Sequence, residues 1–101
     1  MSYETVVNIM LKKEGVEKST MMNSPCLRYR GNFVSKMFEQ QNALIIKVSP
    51  ERVHELIESG EGLPFNFTGK KFKEWVLIPA DREKFYERYV EEALDYAKQK
   101  R

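Results

Sequence analysis

Few side chains in this 101-residue sequence are of types that do chemistry, and those few stand apart from one another. His54 is the single histidine, and Glu51, Glu55 and Glu58 around it would suit acid/base work or a metal ion if the carboxylates converged. A metal needs several convergent ligands, however. Val53, Leu56 and Ile57 mark the buried side of the same helical run and put His54 on or beside its wet side. Cys26 is the single cysteine. A nucleophilic role would need a base and a positive charge to lower its pKa, and Arg28 is close in sequence, but no paired histidine is. Its type favours a small, interior strand residue instead. A lone cysteine cannot form an internal disulfide and fits a reducing, cytoplasmic compartment. With no acid/base pair, metal spacing, phosphate loop or nucleophile triad, the sequence reads as non-enzymatic, and no cofactor is expected.

Cationic and aromatic residues on strands offer more. Strand alternation groups Arg28 with Cys26 and Arg30, Lys47 with Ala43 and Ile45, and Lys73 with Trp75 and Leu77. If these faces coincide, Arg28, Lys47 and Trp75 line a cationic, partly aromatic surface suited to an anionic ligand, an acidic partner segment or stacked nucleotides. The competing reading extends Lys47 and Lys73 along apolar surface to pair with Glu74 or Glu39. Lys70-Lys71-Phe72-Lys73 with Trp75 is the best nucleic-acid signal, since lysines neutralise phosphates and an exposed ring stacks on a base. Without a recognised nucleic-acid motif beside it, a solvated strand entry with Trp75 in the core competes with that reading. Tyr86, Arg88, Tyr89 and Tyr96 form a further candidate patch for self-association.

The elements that must position these residues follow from periodicity. Residues 3 to 13 predict a short helix with Lys12 and Lys13 in its last turn. Residues 17 to 22 are a weak strand leading to Ser24-Pro25. Cys26 to Arg30 and Phe33 to Phe38 flank a Gly31-Asn32 turn, and Ala43 to Val48 is the strongest strand signal. Ser49-Pro50-Glu51 is a capped helix start, Gly60 a helix stop, and Gly62 to Gly69 an irregular segment with aromatic anchors. Phe72 to Ile78 returns as a strand, and Asp81 is the expected cap of a final amphipathic helix. Together they predict one α+β domain over residues 1 to 101, a two-layer fold with an antiparallel sheet of four to five strands in the order α-β-β-β-α-β-α. The 17 basic and 15 acidic side chains leave a net charge of +2, short of the excess of a dedicated nucleic-acid binder. No apolar run approaches the ~18 residues of a membrane span, so no membrane partner is expected, and no signal-peptide progression is visible.

The ordered set MMNSPCLRYRGNFVSKMF, ALIIKV, SPERVHELIESGEGLPF and GKKFKEWVLIP, followed by a terminal amphipathic helix, resembles the TfoX N-terminal domain family from near Lys18 onward. Its most telling parts are Lys47 in an apolar strand, Gly60 to Phe65, Gly69-Lys70, and Trp75 before a Val-Leu-Ile-Pro strand end. A more distant resemblance reaches the MmcQ/YjbR-like proteins. The resemblance implies a compact α+β domain with helices packed on an antiparallel sheet. TfoX proteins regulate natural competence, but that regulator carries a further C-terminal domain with no counterpart in these residues. Met22-Asn23 also stands where many relatives have a Met-Phe-Gly type segment. The expected function is a regulatory or protein-interaction module, with an unknown protein partner or self-association. The alternative is weak nucleic-acid binding around Lys70 to Trp75.

Overall fold

The fold comes from a computed structural model and is described for residues 2–67 and 70–99, excepting the side chains of Asn66, Phe67, Lys70 and Lys71. In chain order the elements are α1 (Tyr3–Met10), β1 (Val16–Met21), β2 (Ser24–Tyr29), β3 (Asn32–Phe38), β4 (Ala43–Lys47), α2 (Pro50–Glu58), β5 (Leu63–Phe67), β6 (Lys70–Pro79) and α3 (Tyr86–Gln99). Short 3-10 segments occupy Glu39–Gln41 and Ala80–Phe85. The strands pair antiparallel throughout, in the order β1-β2-β3-β4-β6-β5.

The expected α+β layering is therefore present, with six strands among the described residues rather than four or five. The added strand, β5, lies in the segment read as irregular from sequence. Pro64 and a register shift between Pro64 and Asn66 erase its alternation. An edge strand tolerates both, because its outer ladder is unpaired. The weak strand at 17 to 22 is β1, the opposite edge. The β2–β3 turn is Arg30-Gly31, with φ of 47° and 88°, one residue earlier than expected, and Tyr29 pairs with Asn32. Positive φ at both turn positions matches the right-handed twist of the flanking strands.

Helix ends also differ from expectation. Ser2 caps α1 by accepting from the Thr5 amide at 3.2 Å, and the helix stops at Met10, so Lys12 and Lys13 lie beyond its last turn. Ser49 caps α2 as expected, with Oγ accepting from the Arg52 amide at 3.2 Å. Asp81 does not cap α3; it lies within the 3-10 segment, which is kinked at Arg82 (φ −108°, ψ 19°).

The helices cover one face of the sheet. Leu27, Val34, Leu44, Ile46, Val76 and Ile78 meet Val6 and Met10 of α1, Val53 and Leu56 of α2, and Tyr86, Val90, Ala93, Leu94 and Ala97 of α3. Each large aliphatic side chain removed from water there contributes about 1.5–3 kcal/mol. Tyr86 is buried with them and satisfies its hydroxyl by donating to the Ile78 carbonyl at 3.2 Å. Burial, with Glu83 and Asp81 adding repulsion, pushes its pKa up to about 12.

Among the described residues no helix lies across the other face, yet its centre is dry. Cys26, Phe33, Ala43, Ile45, Phe65, Trp75 and Leu77 form a second buried cluster there. Phe65 of β5 meets Phe38 of β3 edge to face at 5.3 Å, although two strands separate β5 from β3. Strands lie about 4.8 Å apart, so a flat sheet would hold those backbones roughly 14 Å apart. The sheet therefore curls toward this face, and its aromatics close over the strands between.

Candidate functional site

The register settles which strand faces coincide. One row of Cα partners runs Ser19, Cys26, Lys36, Ile45, Leu77, Leu63 across all six strands. A neighbouring row holds Glu17, Arg28 and Phe33, and Lys47 pairs with Trp75. Arg28, Lys47 and Trp75 thus share the helix-free face, as alternation suggested. A shift at Leu27/Arg28 places Arg28 opposite Phe33 and Leu27 opposite Ser35, so β3 spends an extra residue there. Val34 and Ser35 both turn to the helix side, where Ser35 shares a 3.0 Å hydrogen bond with the Tyr3 hydroxyl. Phe33 and Lys36 consequently lie on the helix-free side.

Most of the cationic groups on this face are already engaged. Arg28 donates from Nε to Ser19 Oγ at 3.0 Å and from its terminal nitrogens to the carbonyls of Gly31 and Thr20, at 3.3 and 3.4 Å. It ties β1 to the β2–β3 turn. Lys47 lies 4.0 Å from Glu74, the pairing that competed with a ligand role. Glu74 also accepts from the Tyr96 hydroxyl. Lys73 is exposed and in no ion pair among the described residues. Gly69 and the side chains of Lys70 and Lys71 lie outside the described residues.

Trp75 is 8% exposed and enclosed by rings: Phe33 stacks on it at 4.7 Å, Phe72 at 5.0 Å, and Phe65 tilts against it at 5.3 Å. A ring so enclosed supports the sheet rather than offering a free platform to a base. Sequence reading named Trp75 but not its partners, which come from three different strands. Aromatic type alone carries no signal for that convergence.

Of the residues expected to form a self-association patch on α3, Arg88 is exposed, but the tyrosines are engaged elsewhere. Tyr86 and Tyr89 are buried at 1% and 6% exposure, and Tyr96 is held by Glu74. His54 is exposed and pairs with Glu58 at 2.9 Å, a helical i,i+4 contact. Among the described residues no group of three His, Cys, Asp or Glu side chains is placed to hold a metal.

Cys26 is 2% exposed. Burial pushes its thiol pKa up, only partly offset by the positive charges of Arg28 and Lys36. Native protein is expected to react with a disulfide reagent at least about a hundredfold more slowly than denatured protein, because exposure requires local opening. Comparable rates in the two states would contradict the packing.

Two of the concavities among the described residues bear on α2 and its neighbours. One, about 240 Å³ in volume, is lined by Arg52, Glu61, Arg82, Phe85, Arg88, Tyr89 and Glu92. Part of its charge is satisfied internally: Arg52 donates to Glu92, and also to Glu55 beside the concavity, and the Tyr89 hydroxyl donates to Glu61 at 2.8 Å. The Tyr89 hydroxyl, with Ser59 Oγ donating at 2.9 Å, holds the Glu61 carboxyl below its ordinary pKa. A depressed carboxylate stabilises the fold above the unfolded-state value and loses that contribution as pH falls through the folded value. Urea stability is expected to fall from about pH 5 to about pH 3, with Glu61→Gln flattening part of that slope.

The other concavity, about 350 Å³, is a groove between α2 and the β5–β6 hairpin, lined by Pro50, Val53, Ile57, Pro64, Phe65, Phe72 and Trp75, with His54 and Lys73 its ionisable residues. Leu63, next in sequence to its lining residue Pro64, is 49% exposed on the β5 edge. Sequence reading missed the groove because β5 itself was not legible. Among the described residues, no helix is long and apolar enough to cross a membrane. A scan against protein-family models and searches of curated proteins and solved structures returned no match to this chain.

Proposed function

We propose that this chain is a non-enzymatic, regulatory interaction module, similar to the TfoX N-terminal domain in its order of elements, that works in the cytoplasm. The observation that carries this reading is the groove between α2 and the β5–β6 hairpin. Its floor is apolar and its ionisable lining residues, His54 and Lys73, are basic. The complementary occupant is a short protein segment with apolar anchors and acidic flanks. The open β5 edge beside the groove offers such a segment main-chain partners. His54 held by Glu58 and Cys26 buried under aromatics support a role in binding over one in chemistry.

The test is selection of displayed peptides on the immobilised chain, repeated with the exposed lining residues reversed in charge (His54→Glu with Lys73→Glu). Apolar-acidic peptides are expected, with affinity falling at least about tenfold, roughly 1.4 kcal/mol, in the reversed variant. Peptides that bind both forms equally would overturn the assignment of this groove.

A second reading, weak nucleic-acid binding, is supported by exposed Lys73 on the strand that also carries Lys70 and Lys71. It expects affinity for labelled single- or double-stranded DNA to fall steeply with salt and to vanish when these three lysines become alanine. The enclosure of Trp75 removes the stacking half of that proposal and leaves the electrostatic half.

A further inference from the structure

Among the described residues, Lys36 is the one charged residue in the two buried clusters' shared sheet that is itself buried, at 3% exposure, on a strand with neighbours on both sides. An ammonium has three donors, and Lys36 spends one, on the Met21 carbonyl at 3.1 Å. None of the ion pairs among the described residues includes it. Removing such a charge from water without a counter-ion is unfavourable, and an apolar side chain of the same volume would avoid that cost.

The side chain helps line a pocket of about 280 Å³. One wall is the Met22-Asn23 turn, with φ of 54° and 63°, together with Ser24; the other is Met37, Phe38, Glu39 and Gln40. Ser24 Oγ also donates to the Met21 carbonyl, at 3.4 Å, so the acceptor that anchors Lys36 is shared. The pocket therefore joins one buried cation with unspent donors to two apolar side chains, Met22 and Phe38, while the Met37 side chain packs toward the helices. Asn23, Ser24 and Gln40 supply neutral polar groups. A single cation matches a single negative charge, and the carboxylate of Glu39, exposed and unpaired with Lys36, disfavours a dianion such as phosphate.

We propose that this pocket is a binding site for a small monocarboxylate with an apolar tail, its carboxylate received by Lys36 Nζ and its tail lying against Met22 and Phe38. The site shares no lining residue with the groove at α2, so either can fail without the other.

Hexanoate is a suitable probe, followed by the methyl resonance of Met22 and the ring resonances of Phe38. Saturable shifts are expected, with hexanamide and inorganic phosphate at least about tenfold weaker, since neither offers both a single charge and a tail. Lys36→Met keeps the volume and is expected to abolish the shifts while leaving the chain folded or more stable. Should that variant fail to fold, Met22→Asp serves, because aspartate tolerates positive φ and sets a like charge at the pocket; hexanoate binding is then expected to weaken by a similar factor. Shifts that do not saturate, that hexanamide or phosphate reproduces at equal concentration, or that persist in Lys36→Met would overturn the proposal. So would unchanged affinity in Met22→Asp.

Discussion

Replacing Trp75 with alanine is expected to destabilise the chain by about 3–5 kcal/mol, the range for deleting a large core aromatic. The ring touches Phe33, Phe65 and Phe72, so its loss leaves a cavity among side chains that the sheet itself supplies. On the helix side, α3 could shift to fill a comparable void; here α2 stands across the groove from the ring, and the rings held by the curled strands must fill the space. A domain of this size has about 5–15 kcal/mol of stability, so the variant should be marginal. Urea unfolding followed by circular dichroism reads the effect without relying on the missing fluorophore. Lys73→Ala, two residues away on the same strand and exposed, is expected to change stability by no more than about 0.5 kcal/mol. A loss below about 1 kcal/mol for Trp75→Ala would mean that the aromatic cluster does not hold the curled sheet.

The second large effect is expected at Gly62. A Cβ built there would lie 2.6 Å from Val76 Cγ2, 3.3 Å from Leu56 Cβ and 3.4 Å from the Leu77 carbonyl oxygen. Its amide and that of Glu61 both donate to the Leu56 carbonyl, at 2.9 and 3.0 Å, fixing the segment against the end of α2. Neither the β6 ladder nor the helix end can retreat, so Gly62→Ala should cost about 1–3 kcal/mol by overpacking. Gly60 is a useful contrast. Its Cβ would meet open space, but φ is +83°, and alanine there should cost about 1–2 kcal/mol through backbone strain alone. A smaller residue at 76, Val76→Ala, should partly rescue Gly62→Ala and leave Gly60→Ala unrelieved, which a double-mutant cycle can read.

These two glycines show what was legible in the sequence. Gly60 as a helix stop follows from the capped amphipathic run before it, whereas the need for glycine at 62 depends on Val76, fourteen positions away. The hairpins of β2, β3 and β4 were readable because turn residues at Gly31-Asn32 and Gln40-Gln41-Asn42 separate short apolar runs, the last rich in β-branched residues. Strand β5 was not, since Pro64 and its register shift break the period. The coincidence of the Arg28, Lys47 and Trp75 faces could be posed from alternation, but only the pairing of Lys47 with Trp75 and of Arg28 with Phe33 decides it. Lys36 drew no attention in sequence. A lysine in Phe-Val-Ser-Lys-Met-Phe reads as a solvated strand position, and only the extra residue at Val34/Ser35 and the neighbouring turn bury it. Long-range register, rather than residue type, is where both candidate sites were hidden.

Trp75 is the chain's one tryptophan and lines the groove at α2, so its emission reports occupancy without a label. The most direct test of the interaction module is therefore a titration of the chain with a selected apolar-acidic peptide and, separately, with a single-stranded oligonucleotide, each at low and physiological salt. A saturable shift in Trp75 emission with the peptide, retained at physiological salt and lost in the charge-reversed variant, is the expected result. No response to the peptide, or a response confined to the oligonucleotide that disappears with salt, would contradict it.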